Sequence, residues 1–114
     1  MEIEWVKFGE ISINGKVYYS DVIAYWDGDV ELRQKSHVLG HNEFLRLARK
    51  EPDMIIIGTG FKDFLVIKIP EEVEDLAKQK KIEIFVEDSI KASEIFSALV
   101  NDGKKAIAVI HTTC

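Results

Sequence analysis

The residues best suited to chemistry in this chain are Gly58-Thr59-Gly60, Asp88-Ser89 and His111. A glycine turn leaves backbone N–H groups bare, and a helix start after Asp88 offers further unpaired donors; together they suit a small anion. Asp88 opposes that use by placing a negative charge at the same helix end. The plain alternative is that Asp88 or Ser89 caps the helix and the glycines only turn the chain, since one glycine pair is not a phosphate-loop signature. His111 and Cys114 carry the residue types of a thiolate–imidazole pair. Cys114 is the last residue, where chains fray, and so is poorly placed for catalysis. His37 and His41 have the spacing of two metal ligands on a helix, but Gly40 between them implies a loop, and no metal is expected. No complete catalytic motif is present.

The elements that must position these residues read clearly from Asn42 onward. Asn42 is expected to cap a first helix carrying Phe44, Leu47 and Ala48, which Pro52 ends. Met54-Ile55-Ile56-Ile57 then has the continuous apolar character of a strand buried on both faces. Phe64 to Ile69 suggests a further short strand. A second helix starts at Pro70, with Val73, Leu76 and Ala77 on one face. Glu71, Glu72 and Glu74 come early in it and Lys78, Lys80 and Lys81 late, as its dipole favours. Ile82 to Val86 is the next strand. A third helix follows with a stripe of Ala92, Ile95, Phe96 and Leu99, stopped by Asp102-Gly103. Ala106 to Ile110 is the last strand. Strands alternating with helices over short links imply parallel neighbours joined by right-handed crossovers. The carboxyl ends of the three apolar strands should therefore share one rim, where α/β sheets commonly bind ligands.

The first third is β-like. Ile11, Ile13, Val17 and Tyr19 are punctuated by Asn14-Gly15, a tight-hairpin dipeptide. Val22 to Trp26 and Val30 to Gln34 form a second pair around Asp27-Gly28-Asp29, and Ser36 to Gly40 reads as a loop. Tyr18, Tyr19, Tyr25, Trp26 and Trp5 are read as half-buried strand residues, with an interaction surface as the alternative. Asp21 reads as a partly buried acid that satisfies backbone donors at a strand start. The expected architecture is a single α/β domain over 1–114. It has a β-rich layer over 1–40, an αβ(β)αβαβ core over 41–114, and a mixed, largely parallel sheet with helices on both faces.

With 114 residues, 46% of them apolar, the chain can build one real core. A net charge of −5 repels phosphate at long range and argues against nucleic-acid binding. Arg46, Arg49 and Lys50 read as a solvated helix face. The single cysteine suits a reducing compartment. Met1-Glu2-Ile3-Glu4 lacks the basic start of a signal peptide, and no apolar run nears the ~18 residues that cross a bilayer. A cytoplasmic location without membrane contact is expected. Charged residues at 31%, rich in Glu and Lys, resemble thermophile usage.

Several segments together resemble a known family. These are Asn14-Gly15, Tyr19-Ser20-Asp21, His37 with Gly40, Ile57-Gly58-Thr59-Gly60, Ile69-Pro70, Ala92, Ala98-Leu99-Val100 and His111-Thr112-Thr113-Cys114. In order and spacing they are similar to a small uncharacterised domain family first described from a methanogen hypothetical protein. That family also includes a vertebrate adipogenesis-associated protein, whose tail is especially similar, and a mitochondrial complex I assembly factor. The resemblance implies a mixed sheet with helices on both faces and an extra N-terminal β layer, and it brings no assigned enzyme activity or cofactor. Ser97 stands where the family has asparagine and Ser89 where threonine is common. The functional expectation is a non-catalytic protein-interaction or assembly module. The alternative is a small-anion binder or enzyme at the strand-end cleft of Gly58, Thr59, Gly60, Asp88, Ser89 and His111. A homodimer through an uncovered strand edge is left open.

Overall fold

The computed structural model describes residues 2–61 and 67–113. The central sheet has the order β5-β4-β8-β6-β7, built from β4 (Asp21–Tyr25), β5 (Val30–Arg33), β6 (Met54–Gly58), β7 (Glu83–Glu87) and β8 (Ala106–Ile110). As expected, β6 runs parallel to both β7 and β8, with Gly58 opposite Glu87 and Ile110. Both β6 and β8 are buried at every position, which explains their unbroken apolar runs.

Alternate residues of these strands feed two cores. Ile23, Ile55, Ile57, Ile107 and Val109 pack under α1 (His41–Ala48) and α2 (Glu71–Gln79). Val22, Ala24, Ile56, Ala108 and Ile110 face α3 (Ser89–Asn101) and a second sheet. That sheet has the order β1-β2-β3, from β1 (Ile3–Lys7), β2 (Glu10–Ile13) and β3 (Lys16–Tyr18), and is antiparallel throughout. The molecule is thus three layers: two helices, the mixed sheet, and α3 beside the N-terminal hairpin sheet.

One expectation about the first forty residues changes, and β1 is an addition to those expected. The segment divides between the sheets, because β4 pairs antiparallel with β8 and carries β5 along as the edge strand. β1 escapes a period-two reading because its register shifts between Ile3 and Trp5, which breaks the alternation. Asn14 (φ 51°) and Gly15 (φ 81°) do form the predicted tight turn. Tyr18 is half-buried and Tyr25 buried, whereas Tyr19 lies past the end of β3 and is exposed. Burial and a hydrogen bond to Glu31 push the Tyr25 phenol up to about 12.

The helix limits also shift slightly. α1 begins at His41, with Gly40 at the cap position and no side-chain cap bond, so Asn42 sits inside the first turn. The N–H of Phe44 donates to Gly40 O at 2.9 Å, which starts the helical ladder one residue early. Asp88 caps α3, its Oδ1 accepting the Lys91 N–H at 2.8 Å. Of the expected strand from Phe64 to Ile69, residues 64–66 lie outside the described residues. Lys68 makes only an isolated bridge with Val38.

Glu51 (φ 55°) and Lys81 (φ 59°) follow the ends of α1 and α2 in the left-handed region, where a Cβ is strained. Replacing Lys81 with glycine relieves that strain, against the extra entropy glycine has when unfolded. The net expectation is a gain of roughly 0.5–1 kcal/mol, read by urea denaturation. A loss of stability in Lys81→Gly would show that its side chain holds the turn.

Candidate functional site

The rim at the carboxyl ends of β6, β7 and β8 brings together the residues singled out from sequence, and internal bonds join them. Gly58 closes β6 against the first turn of α3, so tightly that an added Cβ would lie 2.9 Å from Ser89 Cα. The Ser89 hydroxyl accepts the Gly60 N–H at 2.9 Å and donates to His111 O. The Ser89 N–H donates to Gly60 O at 2.8 Å, and the Gly58 carbonyl accepts the His111 N–H at 2.9 Å. One serine therefore stitches the ends of β6 and β8 to the start of α3. Thr59 is buried and hydrogen-bonds to Glu87 O through both its N–H, at 2.9 Å, and its hydroxyl. At the start of α3, expected from sequence to help hold an anion, the N–H groups of Ser89 and Lys91 are occupied by Gly60 O and the Asp88 cap.

His111 turns away from Ser89. Its side chain is fully buried, with Nδ1 2.6 Å from Oδ2 of Asp21. The other Asp21 oxygen accepts the Thr112 N–H at 2.9 Å and the Thr112 hydroxyl at 3.1 Å. Asp21 does satisfy a backbone donor at a strand start, as its sequence setting suggests. Its imidazole partner was missed, because only the antiparallel pairing of β4 with β8 sets Asp21 beside the residue after Ile110.

Arg33, beside Asp21 in the β4–β5 ladder, was also missed. Its guanidinium binds both carboxylate oxygens of Glu43 at 2.8 and 3.0 Å and donates to the carbonyls of Ser36 and Val38 at 3.1 Å. This buried fork ties the loop to α1, and the loop sets the His37 ring edge-on to His111, centroids 5.5 Å apart. The signal available in the sequence was a basic residue ending a strand that also bears apolar residues.

Both Ser89 and Ser97 have clear structural work. Ser89 makes the stitch just described, and Ser97 Oγ accepts the Ile3 N–H at 3.1 Å, joining α3 to β1. His41 opens α1, apart from the His37–His111 pair, and no metal-ligating cluster occurs among the described residues. Cys114 lies outside the described residues. No described helix is long and apolar enough to cross a membrane.

Around this buried polar layer large apolar residues are exposed, beside the charged Asp88, Lys91 and Glu94. The β1–β2 turn is held to that layer by the Gly9 N–H, which donates to Thr112 O at 2.7 Å. That turn exposes Phe8, whose ring centroid lies 6.2 Å from that of Phe61. Tyr19 lies two residues before Asp21, Val38 follows His37, and Ile90 follows Ser89; all three are exposed.

A three-layer α/β domain with a buried polar junction at the carboxyl rim is thus defined. The chain belongs to the family described as protein of unknown function (DUF498/DUF598), whose profile matches residues 3–111. It is similar to a conserved hypothetical protein of Pyrococcus horikoshii OT3, at 27% identity over all of both chains and a TM-score of 0.85. The fold is also that of the solved structure of MT938, with 24% identity, 99% and 98% of the chains covered and a TM-score of 0.80. A Bordetella pertussis protein called an Mth938-like domain shares it at 13% identity, 97% and 85% coverage and a TM-score of 0.70. No curated protein matches the chain.

Proposed function

We propose that this domain is a non-catalytic protein-interaction or assembly module of the cytosol that docks a protein partner through the carboxyl-rim end. The observation that carries the reading is the contrast at that end. Ser89 bonds to Gly60 and His111, and Asp21 to His111 and Thr112, while Phe8, Tyr19, Val38 and Ile90 stand exposed around them. Exposed apolar side chains gathered at one end mark contact surfaces, and aromatic rings are common anchors there. The assembly-factor member of the family resembled in sequence points the same way.

A second reading, a small-anion binder or enzyme at Gly58, Thr59, Gly60, Asp88, Ser89 and His111, is favoured by one observation. A buried acid–imidazole pair, Asp21 with His111, lies directly under the rim and has the residue types of general acid–base chemistry. Affinity capture from native lysate, with mass spectrometry of the undenatured protein, separates the two. The docking reading predicts one stoichiometric protein partner that Phe8→Ser or Ile90→Ser releases, losing roughly tenfold or more in affinity per anchor. A retained metabolite, with no protein partner sensitive to these variants, would overturn it.

A further inference from the structure

We propose that the outer edge of β7 takes up an extended segment of a partner protein whose strand alternates basic and apolar residues. β7 ends the central sheet, and no described strand pairs with its outer side. The Glu83 N–H donates to Asp53 O at 3.1 Å and the Glu87 carbonyl accepts the Thr59 N–H at 2.9 Å. Glu83, Phe85 and Glu87 therefore spend their main-chain groups on β6. By alternation, those of Ile84 and Val86 point outward, the arrangement that strand addition uses.

The side chains define what fits there. Between β7 and α2 runs a groove of about 640 Å³ with Ile69, Ala77, Ile84 and Val86 in its apolar lining. Glu74 and Lys78 of α2, with Lys81 just past its end and Glu83, border it in balanced charge, so its floor selects for apolar side chains. The opposite face of β7 presents Glu83 and Glu87 on either side of exposed Phe85. An added strand thus places apolar side chains in the groove and basic ones beside the two glutamates.

A second copy fits poorly in the register that pairs the strand over its whole length. Pairing β7 with itself about Phe85 sets Glu83 against Glu87 twice, and like charges directly opposite are destabilising. A strand bearing lysine or arginine at both positions turns the same two contacts favourable. The proposal shares with the rim reading only the class of partner and uses a different edge of the molecule. Substitution of Phe8 leaves it untouched, so the two ideas fail separately.

The probe is a short fluorescein-labelled peptide alternating lysine, valine, threonine, valine and lysine, followed by anisotropy at low salt. Against a control with glutamate in place of lysine, it is expected to bind about tenfold tighter. The double variant Glu83→Lys with Glu87→Lys, the first exposed and the second half-buried on this edge strand, should invert that preference. Val86→Pro removes an outward N–H and should weaken binding roughly tenfold. If Val86→Pro does not fold, the charge inversion alone decides. No saturable binding, binding indifferent to the inversion, or a wild-type dimer in sedimentation that Val86→Pro dissolves would each overturn the proposal.

Discussion

Asp21→Ala is expected to lose about 3–5 kcal/mol of folding stability, a large part of the roughly 5–15 kcal/mol typical of such a domain. The carboxylate it removes serves three buried groups: His111 Nδ1, the Thr112 N–H and the Thr112 hydroxyl. All belong to residues at or near zero exposure, so water cannot replace the lost acceptor without opening the structure. Each buried group left unpaired costs on the order of 1–3 kcal/mol. Asp21→Asn keeps an acceptor oxygen and the side-chain shape, and should lose clearly less. Urea unfolding with the slope m monitored measures both variants. A loss below about 1 kcal/mol in Asp21→Ala would mean that the junction rearranges and that this acid does not hold β4 to β8.

Gly58→Ala is the second large effect, expected at about 3 kcal/mol, the upper end of what overpacking costs. The backbone of Gly58 is extended and open to any residue, so the penalty is purely one of space. Its Cβ would meet Ser89 Cα and Oγ at 2.9 Å and Ile110 Cδ1 at 3.1 Å. The Ile110 methyl can rotate away, but Ser89 Cα moves only with the start of α3. That turn is pinned by Ser89 bonds to Gly60 and His111. Thermal unfolding of Gly58→Ala should fall by roughly 10 °C in a domain of this size. An unchanged midpoint would show that α3 slides without cost and that the close approach is not a constraint.

Both positions show what could be read from the chain beforehand. The run into Gly58 declares a doubly buried strand meeting a bare turn, and the periodicity of β6, β7 and β8 with their helices declares the shared rim. The Asp88 cap was equally local, a polar residue one step before an apolar helical stripe. The place of β4 was not local. Nothing in Val22 to Tyr25 distinguishes a strand of the outer hairpin sheet from one that inserts beside β8. The consequence was the pairing of Asp21 with His111, 90 residues apart in sequence. Ser89 shows the same limit differently. Its type and position suggested a cap or an anion contact, whereas the hydroxyl works sideways, between a glycine turn and a strand end. Arg33 reads as an ordinary strand-end charge until β5 is set against α1, where Glu43 meets it.

The central claim is that the rim is a bonded structural junction, with the N–H groups of Gly60, Ser89, Lys91 and His111 already committed. Amide hydrogen exchange of Gly60, Ser89, His111 and Thr112, recorded without and with inorganic phosphate, tests it most directly. The account predicts protection at all four close to that of the β6 and β8 core, and phosphate leaving both their exchange and their resonances unchanged. Fast exchange at Gly60 and Ser89, quenched by phosphate in a saturable way, would contradict it.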